Sequence, residues 1–234
     1  VTPAAGDDLE ALLEAAGLAQ PLRASLARYG TLVLEANRRF NLTGAKTPQA
    51  LVAHLLDSLT VVPYLHEPYV DVGSGAGFPA IPVAIATGMA VTLVEPTTKK
   101  ARFIESLLPQ LGVRGVVVRQ RAEVAGHEPS LRDHFMSGTA RAVATATTVA
   151  ELLLPLIAPG GVAVMQRGHV GRQERAALED AALILGAALE SENVIAGERR
   201  ILVLRKTVST PLRFPRRVGI PEKRPLCDEG RPSA

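Results

Sequence analysis

The residues best suited to chemistry fall between positions 71 and 141. Asp71-Val72-Gly73-Ser74-Gly75-Ala76-Gly77-Phe78-Pro79 sets an acid and three alternate glycines at the end of a β-prone run, Tyr69–Val72. Without a Cβ, glycines let a ligand lie against the backbone at the C-terminal edge of a sheet. Two cofactor classes use such a turn. A dinucleotide site wants G-x-G-x-x-G, whose third glycine would fall at position 78, and that position is Phe78. Glycines at 73, 75 and 77 after Asp71 make the D-x-G-x-G-x-G form associated with S-adenosylmethionine.

Glu95 ends the next β-prone run, 20 residues beyond Gly75. A carboxylate there can accept both ribose hydroxyls of an adenosine; the alternative is a helix-cap acid beside Lys99 and Lys100. Pro96 and Thr97 would line the adenine side, and Thr97 is also suited to cap the following helix. After the third run, Ala122-Glu123 gives a small residue and an acid for an adenine pocket, although Glu123 alone reads as a surface acid. Arg141 lies in the apolar stretch Ala140–Ala144, where a charge is costly unless paired or aimed into a site. A site role is the better reading. Methyl transfer to pyrimidine C5 needs a cysteine nucleophile, and the one cysteine, Cys227, sits in the tail. Exocyclic-amine transfer goes with a Pro-Pro loop, and no Pro-Pro occurs. Guanine N7 is nucleophilic without deprotonation, so it needs no general base.

These residues require a framework. Helical spacing places Leu9, Leu12, Leu13 and Ala16 on one face, with Gly17 ending that helix. A second helix opens at Pro21 and carries Leu22, Leu26, Tyr29, Val33, Ala36 and Phe40; a third is capped by Thr47-Pro48. From Pro68 short β-prone runs alternate with amphipathic segments: Tyr69–Val72, Val91–Glu95, Val116–Gln120, Ala140–Ala144 and Val162–Gln166. Such alternation predicts a mostly parallel sheet with right-handed crossovers. Leu189–Ile195 and Arg200–Lys206 then form a closing hairpin around Ala196-Gly197. The Pro-rich segment from Pro211 is expected to be extended. Three parts are expected: helices over 1–66, an α/β core over 67–207 and a basic tail over 208–234.

Composition narrows the function classes. A single cysteine excludes a disulfide framework, and the five histidines lack zinc-ligand spacing, so no metal is expected. No apolar run approaches the ~20 residues needed to span a bilayer. A cytoplasmic monomer without membrane contact is expected. The net charge of +3 conceals a division: residues 199–225 hold nine basic side chains and one acidic, whereas 1–198 hold 16 and 20. A basic strap on an acidic body suits a polyanionic partner. The abundance of arginine over lysine suits phosphate but is equally what GC-rich coding produces.

The chain resembles the bacterial ribosomal small-subunit methyltransferase G family, formerly glucose-inhibited division protein B. The likeness rests on Asn37-Arg38-Arg39-Phe40-Asn41-Leu42-Thr43, His54-Leu55-Leu56-Asp57-Ser58-Leu59, the Asp71–Pro79 loop, Ala140–Ala144 and the tail from Pro215 to Leu226. It implies a class I S-adenosylmethionine-dependent methyltransferase: an α/β, Rossmann-like fold with a mostly parallel seven-stranded sheet and an N-terminal helical extension. It also implies N7 methylation of one guanine in 16S rRNA, free or in an assembling small subunit. By position, cofactor contacts carry over to Gly73, Phe78, Glu95, Pro96, Thr97, Ala122, Glu123 and Arg141, with Gly75 in the same loop.

Three positions depart from the family pattern: Glu95 where Asp is common, Ala80 where glycine is frequent, and Gln166-Arg167-Gly168 where a Lys-Gly is usual. Candidate rRNA contacts are Arg38, Arg39, Asn41, Arg216, Arg217, Lys223 and Arg224; Asn41 and Thr43 can equally form a structural turn closing the helical lobe over the cofactor. His54 and Asp57 read as a local helix-face pair. The alternatives are a methyltransferase for another RNA or a small molecule, an NAD-dependent oxidoreductase, and a non-catalytic RNA-binding protein.

Overall fold

The computed structural model describes residues 5–39, 41–141 and 144–227; Phe40, Ala142 and Val143 lie outside the described residues. Three helices come first: α1 (Ala5–Ala15), α2 (Leu22–Asn37) and α3 (Pro48–Leu59). Gly17 and Thr47 act as the residue types require. Leu18 N–H reaches back to Leu13 O (3.0 Å) past Gly17, and Thr47 Oγ1 accepts from Ala50 N–H (3.3 Å) at the start of α3. Then follow β1 (Tyr69–Val72), α4 (Ala80–Thr87), β2 (Val91–Val94), α5 (Thr98–Leu111), β3 (Gly115–Val118), α6 (Ala122–Ala125), β4 (Phe135–Arg141), α7 (Ala146–Leu153), β5 (Ile157–Arg167), α8 (Arg172–Ile184), β6 (Ala187–Ala196), β7 (Arg199–Lys206) and a short α9 (Ile220–Lys223).

The seven strands form one sheet in the order β3-β2-β1-β4-β5-β7-β6. All neighbouring pairs from β3 to β5 are parallel, and β7 runs antiparallel to both β5 and β6. The order reverses at β1, between β2 and β4, which puts the glycine loop after β1 at a topological switch point, where α/β sheets bind ligands.

Side chains alternate across the sheet with period two. Val162, Val164, Ile201 and Val203 join the core that holds Leu9, Leu26, Tyr29, Leu51 and Leu55, so the helical extension and one sheet face share a single core. Ala163, Met165, Leu202 and Leu204 face the opposite core with Leu153 and Leu178.

Two expectations need correction. β4 begins at Phe135 rather than Ala140, so Arg141 is its last residue and stands at the sheet's C-terminal edge. Apolar spacing missed Phe135–Thr139 because Ser137, Gly138 and Thr139 interrupt it, although all three are buried. The tail is not simply extended: it contains α9 and lies against α6 and α7 through Arg132, Glu123, Thr148 and Glu151, whose polar groups take up its backbone and Arg216.

Candidate functional site

Gly73, Gly75 and Gly77 all have positive φ, at 73°, 60° and 104°. They need to be glycine for different reasons. A Cβ on Gly75 would meet only Gly73 O, at 3.8 Å, so this backbone faces open space. One on Gly77 would stand 2.6 Å from Ile81 Cγ1. Tyr29 Oη, from the helical extension, donates to Ala76 O (3.0 Å) and ties α2 directly to the loop.

Beneath the loop, Asp71 is wholly buried. Its Oδ1 accepts from Thr139 Oγ1 (2.6 Å), which lies 2.6 Å from Tyr69 Oη, while its Oδ2 has no partner among the described residues. Burial pushes the Asp71 carboxyl up to about 7, against the lowering effect of the Thr139 and Ser74 hydrogen bonds and of Arg141. Glu95, 4% exposed, bridges two elements: Oε2 accepts from Gly75 N–H (2.9 Å) and Oε1 from Thr97 N–H (2.8 Å). The expected Thr97 side-chain cap is therefore not made. Glu95 instead holds the Thr97 backbone amide, at the residue's own N–H.

Two cavities meet at this loop. The smaller, about 200 Å³, is lined by Val72, Val94, Pro96, Ala122, Leu152 and Pro221, with Gly73 and Glu123 at its wall. Its apolar lining suits a flat base. The larger, about 460 Å³, takes Gly73, Gly75 and Phe78 on one side, Leu42–Gly44 on another, and His54, Asp57, Arg141, Gln166 and Arg199 around the rest. Among the described residues, Gly73 alone lines both. The Asn37 side chain holds the Leu42–Gly44 turn in place: Oδ1 accepts from Leu42 N–H (2.9 Å) and Thr43 N–H (3.1 Å), and Nδ2 donates to Thr43 O and Ala45 O. Asn37 is thus the organiser of this turn.

His54 and Asp57 are more than a helix-face pair. Arg141 Nη1 lies 3.4 Å from Asp57 Oδ2 and its Nη2 is 3.5 Å from His54 Nδ1; Arg199 Nη1 adds a contact at 3.1 Å to Asp57 Oδ1. The Arg141 guanidinium also stacks over the Phe78 ring, 4.9 Å from its centroid, and His54 meets that ring edge-on at 5.8 Å. Burial and the neighbouring arginines hold the His54 imidazole below its ordinary pKa, against the pull of Asp57. Gln166 donates to Asp57 O (2.6 Å) and Thr60 Oγ1, and so anchors the end of α3.

Of the predicted cofactor residues, Gly73, Gly75, Phe78 and Arg141 line the larger cavity, and Gly73, Pro96, Ala122 and Glu123 line the smaller. Glu95 bonds the loop between them and Thr97 is exposed. Arg38, Arg39, Asn41, Arg217, Lys223 and Arg224 are all exposed. Arg216 is partly buried, and its guanidinium grips Glu151, with Nη2 to Oε2 at 2.6 Å and Nε to Oε1 at 2.9 Å. Glu151 has no exposed surface. The sequence offered one signal for it, an acid inside the apolar run from Val149 to Leu154. Tyr29, legible only as a core residue, is the other participant that spacing could not reveal.

A family model described as GidB, rRNA small subunit methyltransferase G, matches residues 22–203. Ribosomal RNA small subunit methyltransferase G of Trichormus variabilis is 39% identical over 227 residues, covering 88% of this chain and 93% of that protein. The enzyme of the same name from Geobacillus thermodenitrificans is 35% identical, covering 93% and 97%. Among solved structures, a mutant of MtNAS in complex with S-adenosylmethionine superposes with a TM-score of 0.52 at 17% identity, covering 86% of this chain and 83% of its own. A ribosomal protein L11 methylase from Lactobacillus delbrueckii gives 0.52 at 13%, covering 67% and 79%. With matches this long at both ends of each comparison, the chain belongs to the rRNA small subunit methyltransferase G family.

Proposed function

We propose that this protein methylates N7 of a guanine in 16S rRNA, with S-adenosylmethionine as methyl donor. The observation that carries the reading is the pair of cavities that both take Gly73 into their lining, one mostly apolar and one rich in fixed hydrogen-bonding groups. The smaller cavity fits an adenine between Val72, Pro96, Ala122 and Leu152. Glu95 has one contact on each oxygen, which leaves acceptor sites for ribose hydroxyls. When bound, S-adenosylmethionine supplies an electrophilic methyl group. This chain's own contribution is to hold two reactants in line and exclude water.

In the larger cavity Arg141 is fixed by Phe78, Asp57 and His54, so its position is set before any substrate arrives. Guanine N7 carries its lone pair in the ring plane and loses no proton on attack. Such an acceptor asks for placement rather than for a general base, and placement is what these fixed groups provide. The exposed Arg38, Arg39 and Asn41 near one rim, and Arg217, Lys223 and Arg224 on the tail, supply the backbone contacts for an rRNA partner, free or in an assembling small subunit. The domain division that accompanies this reading is an accessory helical part over 1–66, a catalytic core over 67–207 and a tail over 208–234.

Mass-spectrometric mapping of 16S rRNA from cells with and without the protein tests the substrate. Loss of a single N7-methylguanine is expected on deletion, and an unchanged methylation pattern overturns the assignment. Calorimetric titration with S-adenosylmethionine and with NAD tests the cofactor, with heat expected only from the first.

A further inference from the structure

The tail packs where an adenosine pocket needs a third wall. Pro221 and Glu222 line the smaller cavity together with Val72 and Val94. Three contacts set this wall in place. Gly219 N–H donates to Glu123 Oε1 (2.8 Å), Thr148 Oγ1 donates to Pro221 O (2.9 Å), and Arg216 is clamped on Glu151, also donating to Arg224 O (2.7 Å). Upstream, Arg132 donates to Phe214 O and Thr210 O, and a Cβ on Gly126 would stand 2.7 Å from Pro215 Cγ. One oxygen of the Glu123 side chain is therefore used on the tail, and the residue also lines the cavity.

We infer that residues 210–226 are a strap that completes the nucleoside pocket, with Arg216–Glu151 and Gly219–Glu123 as its two latches, so that Arg216 and Glu151 are positioning residues for the cofactor rather than RNA contacts. The inference rests on the cofactor reading above and adds a part of the chain beyond residue 203 to the binding machinery. The arrangement is bidentate: the guanidinium fork meets both carboxylate oxygens, a geometry lysine cannot reproduce. The same strap carries Arg217, Lys223 and Arg224 on its outer side, where they are exposed.

The test uses S-adenosylhomocysteine as the probe and reads binding by calorimetry and strap order by trypsin cleavage after Arg217. In the wild type the probe should bind and slow that cleavage about tenfold. Arg216→Met should raise Kd about tenfold, which corresponds to about 1.4 kcal/mol; Arg216→Lys should fall between. In steady state the KM for S-adenosylmethionine should rise more than kcat falls, and rRNA affinity should stay within about twofold. Because an unpaired buried Glu151 can unfold the chain, the double variant Glu151→Met with Arg216→Met, which removes both charges, is measured beside it. It should keep the fold and show the same loss of probe affinity.

Wild-type binding with an unaltered Kd in the folded double variant overturns the strap inference alone. Failure of the wild type to bind the probe overturns the cofactor reading as well. Loss of rRNA affinity in Arg216→Met with probe affinity retained would return Arg216 to the RNA face and refute the inference.

Discussion

Replacing Asp71 by asparagine should change the pH dependence of stability in a calculable way. In the protein without ligand, burial raises the Asp71 carboxyl from 3.8 to about 7. The folded state then holds a proton that the unfolded chain gives up, so the contribution to stability is complete below 3.8 and is lost as pH rises through about 7. The whole interval corresponds to about 4 kcal/mol, and the part lying between pH 5 and pH 8.5 to about 3 kcal/mol. In Asp71→Asn the new side chain would still accept from Thr139, but its amide nitrogen would replace an oxygen that already lacks a partner. That fixed cost, about 1–3 kcal/mol, does not vary with pH.

The assay is thermal denaturation of both proteins across that range. For a chain of this size about 1 kcal/mol moves Tm by about 2–4 °C. The Tm difference, wild type minus variant, should therefore shrink by about 6–12 °C from pH 5 to pH 8.5, most steeply between about pH 5 and 6 and levelling off above about pH 7. A difference that stays constant would show that Asp71 ionises normally and that the buried network is misread.

Other perturbations reach the remaining parts of the site. Gly77→Ala forces a methyl to within 2.6 Å of Ile81 Cγ1 at a φ of 104° and should cost about 1–3 kcal/mol in urea unfolding, with the loop's ligand affinity reduced. Arg141→Ala should abolish methyl transfer while circular dichroism remains that of the folded protein; retained turnover would remove Arg141 from the site. Arg217→Glu with Arg224→Glu should weaken rRNA binding, flatten its dependence on log salt by about two charges and leave S-adenosylhomocysteine binding alone. An unchanged salt slope would mean that the strap's outer face does not touch RNA.

Much of this fold was legible because its signals are local. Alternate glycines after a β-prone run, the Thr47-Pro48 cap and the hairpin at Gly197 each depend on neighbours in the chain, and each appears where spacing places it. The errors arose where distant residues decide. Nothing near Arg216 in sequence announces a carboxylate 65 positions earlier, so it reads as one more cation in a basic tail. Likewise the spacing of His54 and Asp57 suggests a helix face, whereas Arg141 and Arg199 come to them from β4 and β7. β4 was misplaced because Ser137, Gly138 and Thr139 look polar or weak, yet they are buried in the sheet's centre, with Thr139 spent on Asp71.

The single glycine common to both cavities has a practical consequence for inhibitor chemistry. A nucleoside fragment and a purine fragment lodged in the two chambers would share one wall residue among those described, Gly73, which has no side chain. A short tether routed past that residue would meet its backbone and no side chain. Joining the fragments would make the second binding event intramolecular, at an effective concentration on the order of millimolar for a short flexible link. Such a bisubstrate compound would be demanding of tether length, since one too short to span the junction forfeits the gain entirely. The chain's smallest residue is thus the natural place to build a ligand that neither substrate alone resembles.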